Sequence, residues 1–364
     1  MATEFIKGIE LSRRFCQEIV KPILDSEFLG LKYSSALIGW GSEVLGYDTE
    51  ISRDHHWGPR LLILLNEEDF VELKEKISQK LSEKLPYEFM GYSTNFSNAK
   101  EHGVRSAEKI ISGPVNHMIE FFTIKSLWLM RLGFDPYQEI LNHDWLSFPQ
   151  QRLLALTSGE VYFDGLGELE EVRNKFHYYP NEVWLYLLAS QWTKIAQEQA
   201  FVGRTGDVGD ELGSRVGASR LVREIMKLCF LMEKKYYPYT KWFGTAFENL
   251  NIAPVLSPIL SRVFLATSWK EREKYLSEAY KVIAIAHNLL KITKPLSTEV
   301  SLYHERPYLV ISADEFVKAI ITEIKEESLK KLPVIGSIDQ FVDSTDVLDE
   351  PLLCRKLKTV YENP

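Results

Sequence analysis

The chain has 364 residues, is 45% hydrophobic and 26% charged, and carries a net charge of −8 with no basic tail or stripe. That length suffices for one large core or for two domains of roughly 150 to 200 residues each. The charge lacks the electrostatic footprint of a general nucleic-acid binder. Cys16, Cys229 and Cys354 are few, odd in number and far apart, a pattern that fits buried small hydrophobes in a reducing cytosol rather than a disulfide framework. The stretch MATEFIKGIELSRRF lacks the apolar core of a signal peptide, and no run of 18 uncharged apolar residues occurs. The expectation is a soluble cytoplasmic protein with no membrane partner.

Along the chain, Phe5, Ile6, Ile9, Phe15, Ile19, Ile23 and Leu24 lay one apolar stripe and predict a helix over residues 4–28. Tyr33–Trp40 is β-rich and ends in Gly-Trp-Gly-Ser, while Arg60–Leu65 is an apolar run too short for a buried helix; both predict core strands. Glu67–Lys84 turns helical, with Phe70, Leu73, Ile77 and Leu81 on one face. Tyr87–Tyr92, His117–Ile124 and Gly159–Asp164 predict further strands, so the first 165 residues mix helices and strands. After Leu169 the periodicity is helical over 182–201, 210–235, 270–290 and 313–327, with Gly and Pro at the borders. The glycines of YFDGLGEL mark a plausible hinge. No fixed-period repeat or low-complexity tract interrupts the chain.

The chemistry concentrates in residues 41–65, GSEVLGYDTEISRDHHWGPRLLILL. A strand that ends in two glycines and a serine exposes backbone N–H groups suited to an anion such as a nucleotide phosphate, so Gly41 and Ser42 are the candidate seat. Asp54 lies twelve residues after Ser42, and a carboxylate beside phosphate implies a bridging divalent cation, Mg²⁺ first. If Asp54 sits on a strand, residue 56 faces the same way, which makes His56 the next candidate ligand. Glu120, a charge inside the apolar stretch HMIEFFTI, is either paired or facing a cleft, because an unpaired buried carboxylate is costly. The opposing readings are ordinary ones: a turn glycine, a capping aspartate ahead of Pro59, and a histidine bonded to a backbone carbonyl. Asp48-Thr49-Glu50 reads as a solvated turn.

The order of Gly-Ser, Gly46, an Asp ahead of an apolar strand and a later acidic strand resembles the nucleotidyltransferase fold of the DNA polymerase β superfamily. Five separated blocks go further: GSEVLGYDTEISRDHHWGPRL, FVGRTGDVGDELGSR, YYPYTKWFGTAF, ERPYLVI and LPVIGSIDQFVDSTDVL resemble the successive signatures of a bacterial family, domain of unknown function 4037, whose members are described as nucleotidyltransferase-like. The resemblance implies an α+β fold, with a nucleotidyltransferase-type mixed sheet and flanking helices over 1–165 and an all-helical substrate or closure domain over 166–364. It implies metal-dependent transfer of a nucleoside monophosphate from an NTP to a hydroxyl-bearing acceptor of unknown identity. Gly41 and Ser42 would hold the β- and γ-phosphates, Asp54 would be the first metal-binding acid and Glu120 the third. His56 departs from the pattern, which wants a carboxylate there. An imidazole suits Zn²⁺ or Mn²⁺ better than Mg²⁺, and near neutral pH it is a reasonable base for the acceptor's proton.

In the second half, FVGRTGDVGDELGSRVGASRLVREI gathers arginines and five glycines within fifteen residues, which suggests close backbone approach to a ligand or to the first domain. Arg204 and Arg220 are candidates to reach a triphosphate, with intramolecular salt bridges as the plain alternative. Lys241, in the aromatic and basic cluster KKYYPYTKWFGTAF, is a candidate for nucleotide binding, with helix-junction packing as its alternative. Two other classes compete with the enzyme: a nucleotide sensor or catalytically degenerate relative that keeps the phosphate pocket, and a structural or interaction protein.

Overall fold

The structure is a computed structural model that describes residues 5–100 and 103–362. It divides into two compact units, Met1–Glu139 with Arg152–His177, and Ile140–Gln151 with Tyr178–Pro364.

In the first unit α1 (Gly8–Phe15) and α2 (Lys21–Glu27) are joined by a π-helical turn over Cys16–Val20. The single helix expected over 4–28 is therefore two, its position 4 lying outside the described residues. A π turn takes in extra backbone and rotates the stripe, yet Leu11, Phe15, Cys16, Val20 and Leu24 all stay buried. The strands are β1 (Tyr33–Leu37), β2 (Arg60–Leu65), a short hairpin of β3 (Glu88–Phe89) and β4 (Tyr92–Ser93), β5 (Met118–Phe122) and β6 (Glu160–Asp164). Four of them form one mixed sheet in the order β5-β2-β1-β6, with β2 and β5 parallel and the other pairs antiparallel. The 18-residue α3 (Glu67–Lys84) makes the crossover from β2; the Asn66 side chain accepts from Asp69 N at its start, and three acidic residues occupy its first turn.

Register gives the sheet two unlike faces, because side chains alternate along a strand. Leu61, Ile63, Leu65, Ile119 and Phe121 share one core with Leu11 and Phe15 of α1 and with Ile77 and Leu81 of α3. The alternate positions Leu62 and Leu64 pair with Glu120 and Phe122, which puts a carboxylate on the opposite face. After β5 comes α4 (Ile124–Leu132), closed by Gly133 in the left-handed region at φ 61°. The chain then passes through α5 (Asn142–Ser147), which belongs to the second unit, and returns to the first with α6 (Gln150–Thr157) and α7 (Leu169–Lys175).

The second unit is built around α8 (Asn181–Glu198), α9 (Phe201–Asp207), α10 (Glu211–Met232), α11 (Thr240–Phe247), α12 (Ala253–Leu265), α13 (Trp269–Leu289) and α14 (Ala313–Glu323). Among the described residues it is helical apart from one antiparallel hairpin, β7 (Ser301–Tyr303) and β8 (Arg306–Val310), which corrects the all-helical expectation: ERPYLVI alternates with a strand's period and pairs locally. Its core stacks Trp192 of α8 on Phe316 of α14, ring centroids 4.1 Å apart. All three cysteines are buried and none is in a disulfide. No helix among the described residues is long and apolar enough to cross a membrane.

Candidate functional site

β1 ends at Leu37, three residues short of the expected Trp40, and the chain leaves the sheet in a turn with Gly39 at φ 93° and Gly41 at φ 110°. Both values lie where glycine is at ease and other residues are not. Gly41 is also required by what lies against it. A Cβ there would come within 2.4 Å of Arg60 Nη2 and 2.6 Å of Glu43 Oε2. Those two side chains form an ion pair, Arg60 Nε donating to Glu43 Oε1 at 2.7 Å, with Arg60 and Glu43 only 1% and 4% exposed. Arg60 Nη2 donates further to the Trp40 carbonyl at 2.8 Å. The guanidinium that opens the buried run RLLILL thus fastens the turn to the start of β2. Above this base, the N–H groups of Gly41, Ser42 and Glu43 and the Ser42 hydroxyl donate to no described residue. Three successive open N–H groups beside a glycine of positive φ make a concavity suited to an anion. The Arg131 guanidinium lies 3.9 Å from the Trp40 ring centroid and adds positive charge.

Asp54 stands elsewhere. It closes a 3₁₀ turn over Glu50–Asp54, its carboxylate is 63% exposed, and it sits 2.8 Å from Nδ1 of the adjacent His55. The expectation that Asp54 and His56 share a strand face does not hold, because the strand begins only at Arg60 and Gly58, at φ 147°, precedes Pro59. In a helical turn the two-residue alternation does not apply. His56 is half-buried with φ 51°, and its N–H donates to the Arg105 carbonyl at 2.8 Å. Burial first, then the charges of Arg60, His55 and Arg105, hold its pKa below the ordinary imidazole value, so it is neutral at pH 7. Asp48, expected in a solvated turn, is 1% exposed and accepts from Gly8 N at 2.7 Å and Trp57 Nε1 at 3.0 Å. It ties this loop to the start of α1, a role its exposed-looking DTE context did not reveal.

Of the two readings its sequence context left open, paired or facing a cleft, the structure puts Glu120 at a cleft. Together with Lys74, Ser78, Arg105, His117 and Phe122 it lines a cavity of about 550 Å³ around the outer strand β5. Burial raises its pKa, opposed by Arg60, Arg131 and Arg105. His117 is held neutral beside it: Ile119 N donates to Nδ1 at 3.2 Å and Nε2 lies 3.1 Å from the Ser78 carbonyl. Among the described residues no three His, Cys, Asp or Glu side chains gather so as to hold a metal ion. Asp54, His56 and Glu120 therefore do not fit the donor set expected for Mg²⁺, Mn²⁺ or Zn²⁺, and arginines stand round Glu120 where carboxylates were expected. Sequence reasoning missed Glu43, Arg60, Arg105 and Arg131. The available signal was Arg60 itself, a charge opening a wholly buried strand that needs a buried partner.

The remaining candidates belong to the second unit. Arg204 lies with its guanidinium 5.6 Å from the Phe201 ring centroid, Arg220 pairs with Glu198 at 2.9 Å, and Lys241 lies 5.0 Å from the Trp242 ring centroid. The glycines near them have occupants from the same unit. A Cβ on Gly203 would meet Tyr308 at 2.7 Å, and one on Gly206 would meet Trp269 at 2.2 Å. Asp210 caps α10, accepting from Gly213 N at 2.7 Å, and Glu211 pairs with the buried Arg272. Tyr237 OH donates to the Asp339 carbonyl at 3.3 Å. The blocks FVGRTGDVGDELGSR with ERPYLVI, and YYPYTKWFGTAF with LPVIGSIDQFVDSTDVL, thus interlock in pairs inside one core.

Comparison with protein families matches residues 145–243 to the domain of unknown function DUF4037. The DUF4037 match runs from α5 into α11 and takes in Gly203, Gly206, Arg220 and Tyr237. Comparison with curated proteins gives no match. Among solved structures, the chain is similar to a nucleotidyltransferase-like protein from Exiguobacterium sibiricum 255-15, at 8% identity and a TM-score of 0.33, covering 86% of this chain and 89% of that one.

Proposed function

We propose that the first unit binds a nucleoside phosphate at the Gly41–Glu43 turn, as a nucleotide-binding protein of nucleotidyltransferase-like descent rather than a metal-dependent transferase. The observation that carries this reading is the turn itself, with three open N–H groups and the Ser42 hydroxyl above Arg60 and beside Arg131. Arg60, Arg105 and Arg131 against Glu43 and Glu120 leave the locality net positive, which favours phosphate. Transfer chemistry would need carboxylates converging on a cation; among the described residues no three His, Cys, Asp or Glu gather to hold one, and the exposed Asp54 is engaged with His55. The neutral His56 and the raised Glu120 then tune the pocket's charge.

The test is thermal and chemical unfolding of the protein with each NTP, in EDTA and in Mg²⁺. At about 100 times its dissociation constant a bound nucleotide should add about 2.7 kcal/mol. Stabilisation in EDTA that is lost in Arg131→Ala supports the proposal. Stabilisation by no nucleotide, or only with Mg²⁺ and only while Asp54 is intact, overturns it and in the latter case restores the transferase.

A further inference from the structure

The cavity at the outer edge of β5 poses a question that the phosphate turn does not answer. Glu120 is half-buried there, yet no described side chain or backbone N–H donates to its carboxylate and no cation lies within the 4.0 Å of an ion pair. A carboxylate taken partly out of water and given no donor is costly, and its raised pKa reports that cost. Everything else lining the cavity is already engaged or apolar. Both ring nitrogens of His117 have partners. Ser82 Oγ donates to the Val115 carbonyl at 2.6 Å, Arg105 donates to Ser97 O at 3.0 Å and to Asn116 Oδ1 at 2.8 Å, and Asn116 Nδ2 donates to Phe96 O at 2.8 Å. Pro114, Val115, Ile119, Phe121 and Phe122 supply apolar wall.

The unmet demand is thus for hydrogen-bond donors at one carboxylate. Two kinds of group meet it, a cation or a neutral edge with two adjacent N–H groups. Arg60, Arg105 and Arg131 all act on Glu120 electrostatically, so a cationic ligand would enter against three positive charges. A neutral edge would not. The cavity also lies close to the phosphate seat: Phe122 lines it, and the Phe122 ring is 6.3 Å from the Trp40 ring, edge to face, immediately before Gly41. A volume of about 550 Å³ admits a base with its sugar.

We propose that Glu120 reads a guanine base in the β5-edge cavity, its two oxygens accepting from the N1–H and N2–H groups, while the phosphates lie toward Gly41–Glu43. The inference rests on the nucleotide reading above and adds its base. Guanine alone among the common bases offers two neutral donors side by side on its pairing edge. Adenine and cytosine present one donor beside an acceptor lone pair that repels a carboxylate, and uracil presents one donor between two acceptors. Discrimination therefore comes from repulsion of the wrong bases as well as attraction of the right one.

The test measures dissociation constants for GTP, ITP, ATP, CTP and UTP in EDTA by calorimetry, on the intact chain and on Glu120→Gln. A bidentate pair implies a GTP preference of about tenfold to a hundredfold. ITP, which lacks the N2 amino group, should fall between GTP and ATP, a readout that needs no variant. Glu120→Gln should bring GTP and ATP within about threefold of each other with the ATP affinity held. Equal binding of GTP, ITP and ATP overturns the guanine assignment and leaves the nucleotide reading standing. Binding of none overturns both. A GTP preference that survives in a folded Glu120→Gln assigns the base elsewhere and overturns the role of Glu120.

Discussion

The Gly39–Glu43 turn of the first unit and the α9–α10 stretch of the second unit are alike as sequence, since each sets glycines two or three residues apart. Their structures differ in what fills the space that the missing Cβ leaves. Around Gly203 and Gly206 the occupants are Tyr308 and Trp269 of the same unit, and Arg220 is spent on Glu198. At Gly41 the occupant is the Arg60–Glu43 pair below, while the backbone N–H groups above have no partner among the described residues. A glycine cluster announces a close approach, and only the tertiary structure says whether the approach is already made. One stretch is finished packing; the other still has donors to give.

The sharpest way to break this contrast is to remove the base of the turn. Glu43→Ala leaves Arg60 buried without its carboxylate, and urea unfolding should show a loss of about 3–5 kcal/mol. The double variant Glu43→Ala, Arg60→Met removes both charges and should recover much of that loss. If Glu43→Ala costs no more than an exposed pair would, the turn is not held as described.

Next in size is a pH effect that separates paired from unpaired burial. In the second unit Asp339 is wholly buried beside Lys227 and accepts from Gln150 N, and burial raises its pKa to about 6. Its contribution to stability is present below its unfolded pKa and fades as pH rises through about 6. His287, buried against Trp192 and Phe316, is lowered by burial to about 4, so its contribution is present above 6.5 and is lost as pH falls toward 4. The two oppose each other in the acid range. Asp339→Asn leaves the His287 term uncompensated, and stability should drop by about 3 kcal/mol between pH 6.5 and 4. A flat profile in that variant, followed by guanidinium unfolding, would show that His287 does not titrate as buried.

Smaller substitutions grade the glycines themselves. Gly206→Ala forces a methyl group into the Trp269 ring and should lower stability by about 1–3 kcal/mol. Gly46→Ala, where nothing lies within 4 Å but φ is 77°, should cost about 1 kcal/mol from backbone strain alone. The smallest effect belongs to Arg220→Ala. Its side chain is 58% exposed, and losing the Glu198 pair should change the stability read from urea unfolding by less than about 1 kcal/mol. A larger change would mean that Arg220 has a partner beyond Glu198.

Much of the fold was legible. The run RLLILL is a strand with its expected bounds and Glu67–Lys84 a helix with its expected bounds, because a short continuous apolar run and an 18-residue amphipathic stretch each have one stable way to bury themselves. The Gly41–Ser42 turn was legible too, since closely spaced glycines mark where a backbone can turn at positive φ, although β1 ends at Leu37 rather than Trp40. Asp54 and His56 were not, because reading them as a strand assumed a period that Gly58 and Pro59 break. Glu120 was marked as a charge either paired or facing a cleft, but the charges that act on it come from β2's start, the segment at Arg105 and α4, which no spacing connects.

The sequence by itself determined the elements and the apolar faces, because local periodicity and backbone chemistry act within a few residues. It also marked the charges, Glu120 and Arg60, that had to be answered somewhere. What answers them was decided by tertiary structure alone: Glu43 for Arg60, three arginines at a distance but no donor for Glu120. Pairing of charges depends on which distant segments the sheet register brings into contact, and electrostatics in a half-buried site is set by that company rather than by the residue's own neighbours in the chain.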